Sequence, residues 1–241
     1  MQPGGGSPRS ALPYKTLAGV EPVTGGWLVA PGNIQGITLT PQPPFVLPSL
    51  AEVLDYRPAF AVLALHAPVG LPEPGSVREC DRNARSRLGP RAKAVLVAPS
   101  RKLLEAVTYE EARAIDPSVD IVRWRSLSRA SEVEREVQSW RQRTVWEVHP
   151  ELGFTEMNDG VPLSASRRSI HGRRARLELV RTKLPGVERA LAERPRGVRE
   201  EKLLDALADL WTARRILARA VVRSCEEPSW DSEGVRMDIV S

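Results

Sequence analysis

The sequence is poor in cysteine. Its two thiols, Cys80 and Cys225, lie far apart and outside any Cys-x-x-Cys spacing. A zinc ribbon is therefore excluded, and a reducing, cytoplasmic setting is expected. No apolar run approaches the roughly 20 residues that a membrane-spanning helix needs, so no membrane partner is expected. The opening stretch MQPGGGSPRSALP contains no apolar core of the kind a secretory signal carries. Residues 1–13 read instead as a Gly/Pro/Ser-rich disordered leader. P-loop, G-x-G-x-x-G, H-E-x-x-H and G-x-S-x-G patterns are all missing, which removes the common nucleotide-loop, zinc-protease and serine-hydrolase signatures. No internal repeat is present.

What is there suits an ordinary globular chain. A length of 241 residues, 41% hydrophobic and 27% charged, fits one large α/β domain or at most two small ones. The net charge is +5, and arginine greatly outnumbers lysine. Arg78, Arg82 and Arg85 recur at helical spacing, with Arg87, Arg91 and Lys93 after them. A second cluster runs Arg167, Arg168, Arg173, Arg174, Arg176, Arg181 and Lys183. Guanidinium forks match phosphate oxygens, so a polyanion such as nucleic acid is the expected partner. A GC-rich genome would also favour arginine over lysine.

Three short apolar segments, at residues 14–21, 26–30 and 36–40, are separated by tight Gly/Pro/Asn turns and read as an antiparallel meander. Residues 47–56 have a helical pattern. Residues 59–65 form a continuous apolar run, as in a buried parallel strand. Helices are expected at 77–88, at 103–115, in the later part of 124–142, and at 173–181, 187–192 and 198–223. A further strand is expected at 144–148. The tail, 226–241, is polar. A meander feeding a crossover helix and a parallel strand predicts a mixed sheet with helices packed on it.

Side chains at strand ends of such a sheet leave the core and meet at its edge. Glu21, His66 and Glu147 stand at these points, and the last helix adds Glu201, Asp205 and Asp209. Carboxylates from separate strands and a helix are what Mg²⁺ or Mn²⁺ requires, because these ions take oxygen ligands and clamp the oxygens of a phosphoryl displacement. Each residue has a plainer role open to it. Glu21 can cap the turn at Pro22, and His66 can be a structural histidine. Glu147 can face solvent, and His149 and Glu151 can be loop residues. Leu203, Leu207, Leu210, Trp211, Leu217 and Val221 form one apolar stripe. Asp205 falls about 200° from Leu203 on the helical wheel, with Asp209 nearby. The wheel thus predicts a solvated face for both aspartates, unless the helix points them into a cleft. Trp27 and Trp146 could stack on bases, but both fit core strand positions.

The segments AGVEPVTGGWLVA, LHAPVGLPEPGSVRECDRNARSRLGPRAKAVLVAPSR, VWEVHPELGF, SRRSIHGRRARLELV and EKLLDALADLWTARR span residues 17–215. In combination they resemble the DUF429 family of predicted nucleases with a ribonuclease H-like fold. The resemblance implies an α/β, ribonuclease H-like mixed sheet over residues 14–225, in which a three-stranded antiparallel meander joins parallel strands and helices pack on it. It also implies a metal-dependent phosphodiesterase-like site. Departures from the family pattern bear on that site. The aspartate ending the first strand is Glu21 here, and the aspartate before the proline–glycine turn is His66. The paired aspartates opening the last helix are Glu201 and Lys202, with Asp205 retained. Glu147 matches, and the family's basic residue is Arg167 or Arg168. An imidazole ligates Mn²⁺ but is a poor Mg²⁺ ligand, and it brings no negative charge.

The resulting expectation is a divalent-metal-dependent (Mg²⁺ or Mn²⁺) nuclease or phosphodiester hydrolase. Its catalytic residues would be Glu21, His66, Glu147 and Asp205, with His66 a ligand or general base. Glu21, Glu147, Glu201 and Asp205 would hold metal, and Arg78, Arg82, Arg85, Arg167 and Arg168 would contact phosphates. Asp81 can equally pair with the neighbouring arginines. The alternative is an inactive relative that binds nucleic acid or a protein partner through its arginine face. A third possibility is a small-molecule or nucleotide phosphohydrolase. Convergence of the acidic groups favours catalysis; Lys202 or an arginine filling their space with ion pairs favours binding alone.

Overall fold

Turn chemistry cuts the first part of the chain into strands. The computed structural model describes residues 14–241, so the leader expected at residues 1–13 lies outside the described residues. Strand β1, Lys15–Val23, and strand β2, Gly26–Gln35, pair antiparallel from Lys15↔Ile34 to Val23↔Gly26. The turn between them holds Gly25 at φ 85°, a left-handed conformation that costs other residues energy. Strand β3, Thr38–Pro41, returns along β2. Strand β4, Phe45–Leu47, pairs with the other end of β2. Pro48 disfavours helical geometry at Leu47, so the expected helix over 47–56 shrinks to α1, Leu50–Leu54, capped by the Ser49 side chain.

Strand β5, Phe60–Leu65, lies parallel to β1, and β6, Val145–Glu147, lies parallel to β5. The six-stranded mixed sheet has the order β3-β2-β1-β5-β6, with β4 beside β2. The helices are α2 (Glu79–Leu88), α3 (Tyr109–Ile115), α4 (Ile121–Glu136), α5 (Pro150–Met157), α6 (Ile170–Lys183), α7 (Glu188–Ala192) and α8 (Glu200–Leu217). Helix α5 stands where the sequence suggested loop residues. Pro150 opens it, and the His149 ring accepts the Glu151 N–H at 3.2 Å, a proline-first, capped start. Helix α8 stops short of residue 223 because Arg219 turns left-handed at φ 57°, as chains do just past a helix end.

Alternation along the strands divides the core in two. Leu17, Leu28, Ala30, Val62 and Ala64 face α8, which packs on β1, β2 and β5 and is backed by α5 and α6. Ala18, Val20, Val29, Leu63 and Leu65 face the opposite way, toward Leu50 and Val53 of α1 and Val133 of α4. Trp27 is fully buried on that second face and donates its Nε1–H to Glu132 at 3.0 Å, so it is core and offers no stacking platform.

Residues 226–241, set apart in the sequence as a polar tail, fold back onto the body. They form the hairpin β7 (Ser229–Trp230) and β8 (Arg236–Met237). Val235, Met237, Ile239 and Val240 are buried, and the Val240 N–H donates to the Glu147 carbonyl at 3.1 Å. Four apolar side chains in a short polar stretch suffice to seat it. Among the described residues, no helix is long and apolar enough to cross a membrane.

Candidate metal centre

The site follows from strand parity. On β1, Leu17 faces α8 and Ala18 and Val20 face away, so Gly19 and Glu21 face α8 as well. On β5, Val62 and Ala64 face α8, and the next residue of that parity is His66. The two strands are parallel neighbours with Val20 opposite Leu65, and the His66 N–H extends the ladder to the Val20 carbonyl at 2.9 Å. Glu21 and His66 therefore stand side by side at the carboxyl ends of adjacent strands. Their side chains hydrogen-bond, His66 Nδ1 to Glu21 Oε1.

Helix α8 supplies the third member. It crosses β1 at Gly19, where an added Cβ would lie 2.1 Å from the Ala206 carbonyl and 2.3 Å from the Leu210 nitrogen. This backbone-to-backbone approach brings Asp209 over the strand end. Ligand atoms of Glu21, His66 and Asp209 all lie within 4.8 Å of one another. The wheel expectation of a solvated face for Asp205 and Asp209 is corrected here, since both are fully buried. With the sheet on one side and α5 and α6 on the other, the middle of α8 has no wet face.

Charge is concentrated in this space. Lys202 Nζ donates to Glu21 Oε2 at 2.7 Å, and Arg167 donates to Asp205 Oδ2. Burial would raise Glu21, but His66 and Lys202 outweigh it and hold the carboxyl well below its ordinary range. Burial, joined by the Glu21 charge, pushes Asp205 up to about 7 against the pull of Arg167. Asp209 is driven well above the usual carboxylate range by burial and then by the negative charges of Glu21 and Asp205. No donor reaches either Asp209 oxygen or Asp205 Oδ1 when these groups are ionised, and a protonated Asp209 hydrogen-bonds Glu21. A buried carboxyl in that condition takes up either a proton or a cation.

A pH dependence follows. Asp205 and Asp209 have raised values, so the stability they contribute is complete below their unfolded range and is lost as pH rises through about 7 for Asp205. Glu21, held low, works in the opposite sense: its contribution is present above its unfolded range and is lost only on strong acidification. A divalent ion competes with the aspartate protons. The rise in melting temperature produced by Mn²⁺ is therefore expected to be larger at about pH 8 than at about pH 6. An equal rise at both would show that no proton leaves the site on binding.

The remaining expected site residues divide. Glu147 does not join the group. It pairs with Leu65, which faces away from α8, so Glu147 points to the opposite side of the sheet from Glu21 and His66. There it accepts the Val69 N–H at 2.7 Å and both Nη groups of Arg78 at 2.7 Å. Arg78 also bonds Asp81 and the Val69 and Gly70 carbonyls. It is buried and engaged within the protein, which removes it from phosphate contact and gives Asp81 its pairing role. Arg85 donates to the Val95 carbonyl at 2.7 Å and ties down a loop. Glu201 pairs with Arg199 at 3.2 Å and stands apart from the ligand group. Arg82 and Arg168 are exposed.

Two residues beside the site were not expected there. His149 stacks edge-on to His66 at 4.7 Å. Its ring nitrogens are engaged with the Ala94 carbonyl and the Glu151 N–H, and burial, with His66 beside it, holds it well below the ordinary histidine range. Glu151 is buried against the fully buried Arg176 at 2.6 Å. Asp209 itself was visible in the sequence only as a second acid one helical turn beyond Asp205, a spacing that places both on one side of a helix.

No curated protein and no solved structure matches the chain. Residues 19–229 match the model of a family described as Protein of unknown function (DUF429). The match takes in the end of β1 that carries Glu21, the end of β5 that carries His66, and all of α8. By that extent the chain belongs to the DUF429 family.

Proposed function

We propose that this chain is a divalent-cation-dependent hydrolase of phosphodiester bonds, built on a ribonuclease H-like sheet. The observation that carries the reading is the group of Glu21, His66 and Asp209, with ligand atoms within 4.8 Å of one another and no donor on either oxygen of ionised Asp209. Two oxygen donors and one imidazole suit Mn²⁺ better than Mg²⁺. A divalent cation bound there supplies Lewis-acid polarisation of a phosphoryl oxygen and lowers the pKa of water.

The chain's own residues set the rest. Glu21 stays ionised because His66 and Lys202 hold it so. His66 is the member of the group that reaches the surface, with its side chain 22% exposed, and it is placed to face a substrate. Arg168, exposed and next in the chain to Arg167, which points inward, is the side chain we assign to a substrate phosphate. Nucleic acid is the substrate class that the arginine-rich surface favours.

A second reading has its own observation. Lys202 on Glu21, Arg167 on Asp205 and Arg78 on Glu147 already neutralise three of the expected catalytic carboxylates. That arrangement suits a protein that binds nucleic acid without cutting it. Incubation with single- and double-stranded DNA and RNA, titrated with Mn²⁺ and Mg²⁺, separates the two. Cleavage that requires Mn²⁺ and falls about 100-fold or more in Asp209→Asn supports the hydrolase. Retention of nucleic acid with no cleavage at any Mn²⁺ concentration, or cleavage unaltered by Asp209→Asn, overturns it.

A further inference from the structure

We infer that Lys202 is a built-in cation standing in place of a second divalent ion, so that the centre holds one metal ion per chain. The inference rests on the reading of Glu21, His66 and Asp209 as a cation site. Lys202 Nζ lies 2.7 Å from Glu21 Oε2, and its side chain is only 15% exposed. The other oxygen of Glu21 meets His66. With the ammonium on one oxygen, Glu21 has one oxygen left to offer an ion and cannot bridge two. Asp205, which would have to serve a second ion, has one oxygen held by Arg167 and only Oδ1 left to offer.

Counting charge gives the same answer. Ionised Glu21, Asp205 and Asp209 carry three negative charges, and Lys202 and Arg167 return two. One divalent ion moves this count from −1 to +1, whereas a second carries it to +3 beside three fully buried carboxylates, which desolvation strongly opposes. The ligand side is equally specific. Asp209 is fully buried, and no donor reaches either of its oxygens when it is ionised. Lysine suits the fixed position because its ammonium is a compact point charge with several donors, able to hold Glu21 and also meet a phosphate oxygen.

The test is Mn²⁺ binding to the full chain, counted by electron paramagnetic resonance and by calorimetry, with thermal melts confirming that each variant is folded. The wild type is expected to bind one Mn²⁺. Lys202→Gln removes a positive charge next to the ion and is expected to bind Mn²⁺ at least about tenfold more tightly. Lys202→Arg keeps the charge and should not show this tightening. Two ions in the wild type, or no tightening in Lys202→Gln, overturns the inference while leaving a cation site in place. No binding at all in the wild type removes the cation site and this inference with it. Should Lys202→Gln fail to fold, the wild-type count decides by itself.

Discussion

Arg78→Met is expected to destabilise the protein by about 3–5 kcal/mol, the range for removing one partner of a buried ion pair. Arg78 is 3% exposed. Its guanidinium spans Glu147 with two bonds of 2.7 Å and Asp81 with bonds of 2.6 and 3.2 Å, and donates to the Val69 and Gly70 carbonyls. Glu147 also receives the Val69 N–H, and Asp81 the Ala98 N–H at 2.9 Å. One side chain thus joins the end of β6, the turn after β5, the start of α2 and the loop beyond it. Methionine replaces most of the volume and none of the donors, leaving two carboxylates without their cation. Urea denaturation measures the loss, which for a chain of this size corresponds to roughly 6–20 °C in melting temperature. Glu147→Gln added to Arg78→Met should recover part of it, because one buried charge is then removed. Arg78→Lys should rescue less than a conservative exchange suggests, since an ammonium cannot fork across two carboxylates. A loss below about 1 kcal/mol, the scale of a surface pair, would show that this network does not hold the turn.

Gly19→Ala is expected to cost about 3 kcal/mol or more, at or beyond the upper end for overpacking, and to abolish Mn²⁺ binding. The added methyl would sit 2.1 Å from one helix backbone atom and 2.3 Å from another. Neither can swing aside as a side-chain tip can, so α8 must move off β1. That helix carries Lys202, Asp205 and Asp209, and a displacement of about an ångström is enough to degrade a ligand set. Gly153→Ala provides the contrast. Its Cβ would meet the Thr212 hydroxyl at 3.2 Å, within a helix where alanine is favoured over glycine by about 1 kcal/mol. A small change in stability and unchanged Mn²⁺ binding are expected there. If Gly19→Ala melts and binds like the wild type, the close crossing of α8 over β1 is not what builds the site.

The sheet was legible because its signals are local. Thr24–Gly25 marks a turn whatever surrounds it, and the apolar run at residues 59–65 leaves no polar face for water; the turn expected between residues 30 and 36 at Pro31–Asn33 lies instead inside β2, and the chain reverses at Gly36. Strand β4 was not read from the sequence; it overlaps the apparent helical pattern only at Leu47, and Pro48 was the available clue. Helix α5 was signalled only by Pro150 following a residue able to cap. Residues 226–241 looked too polar to pack, yet Val235, Met237, Ile239 and Val240 are enough to seat them. Among the site residues, Glu21 and His66 could be placed from the ends of apolar strands. Asp209 could not, because a helical wheel assumes one wet side and α8 has none along its middle.

By itself, the sequence located the first strand and the apolar strand at residues 59–65 closely enough to put Glu21 and His66 near their ends, because hydrophobic alternation and turn residues act within a few positions of one another, although β2 runs on to Gln35, past the end expected at residue 30. The tertiary structure alone decided which acids belong together. Strand parity sent Glu147 to the far side of the sheet, and the packing of α8 on the glycine of β1 brought in Asp209. Both outcomes depend on contacts between segments distant in the chain, and neither leaves a mark in any short window of sequence.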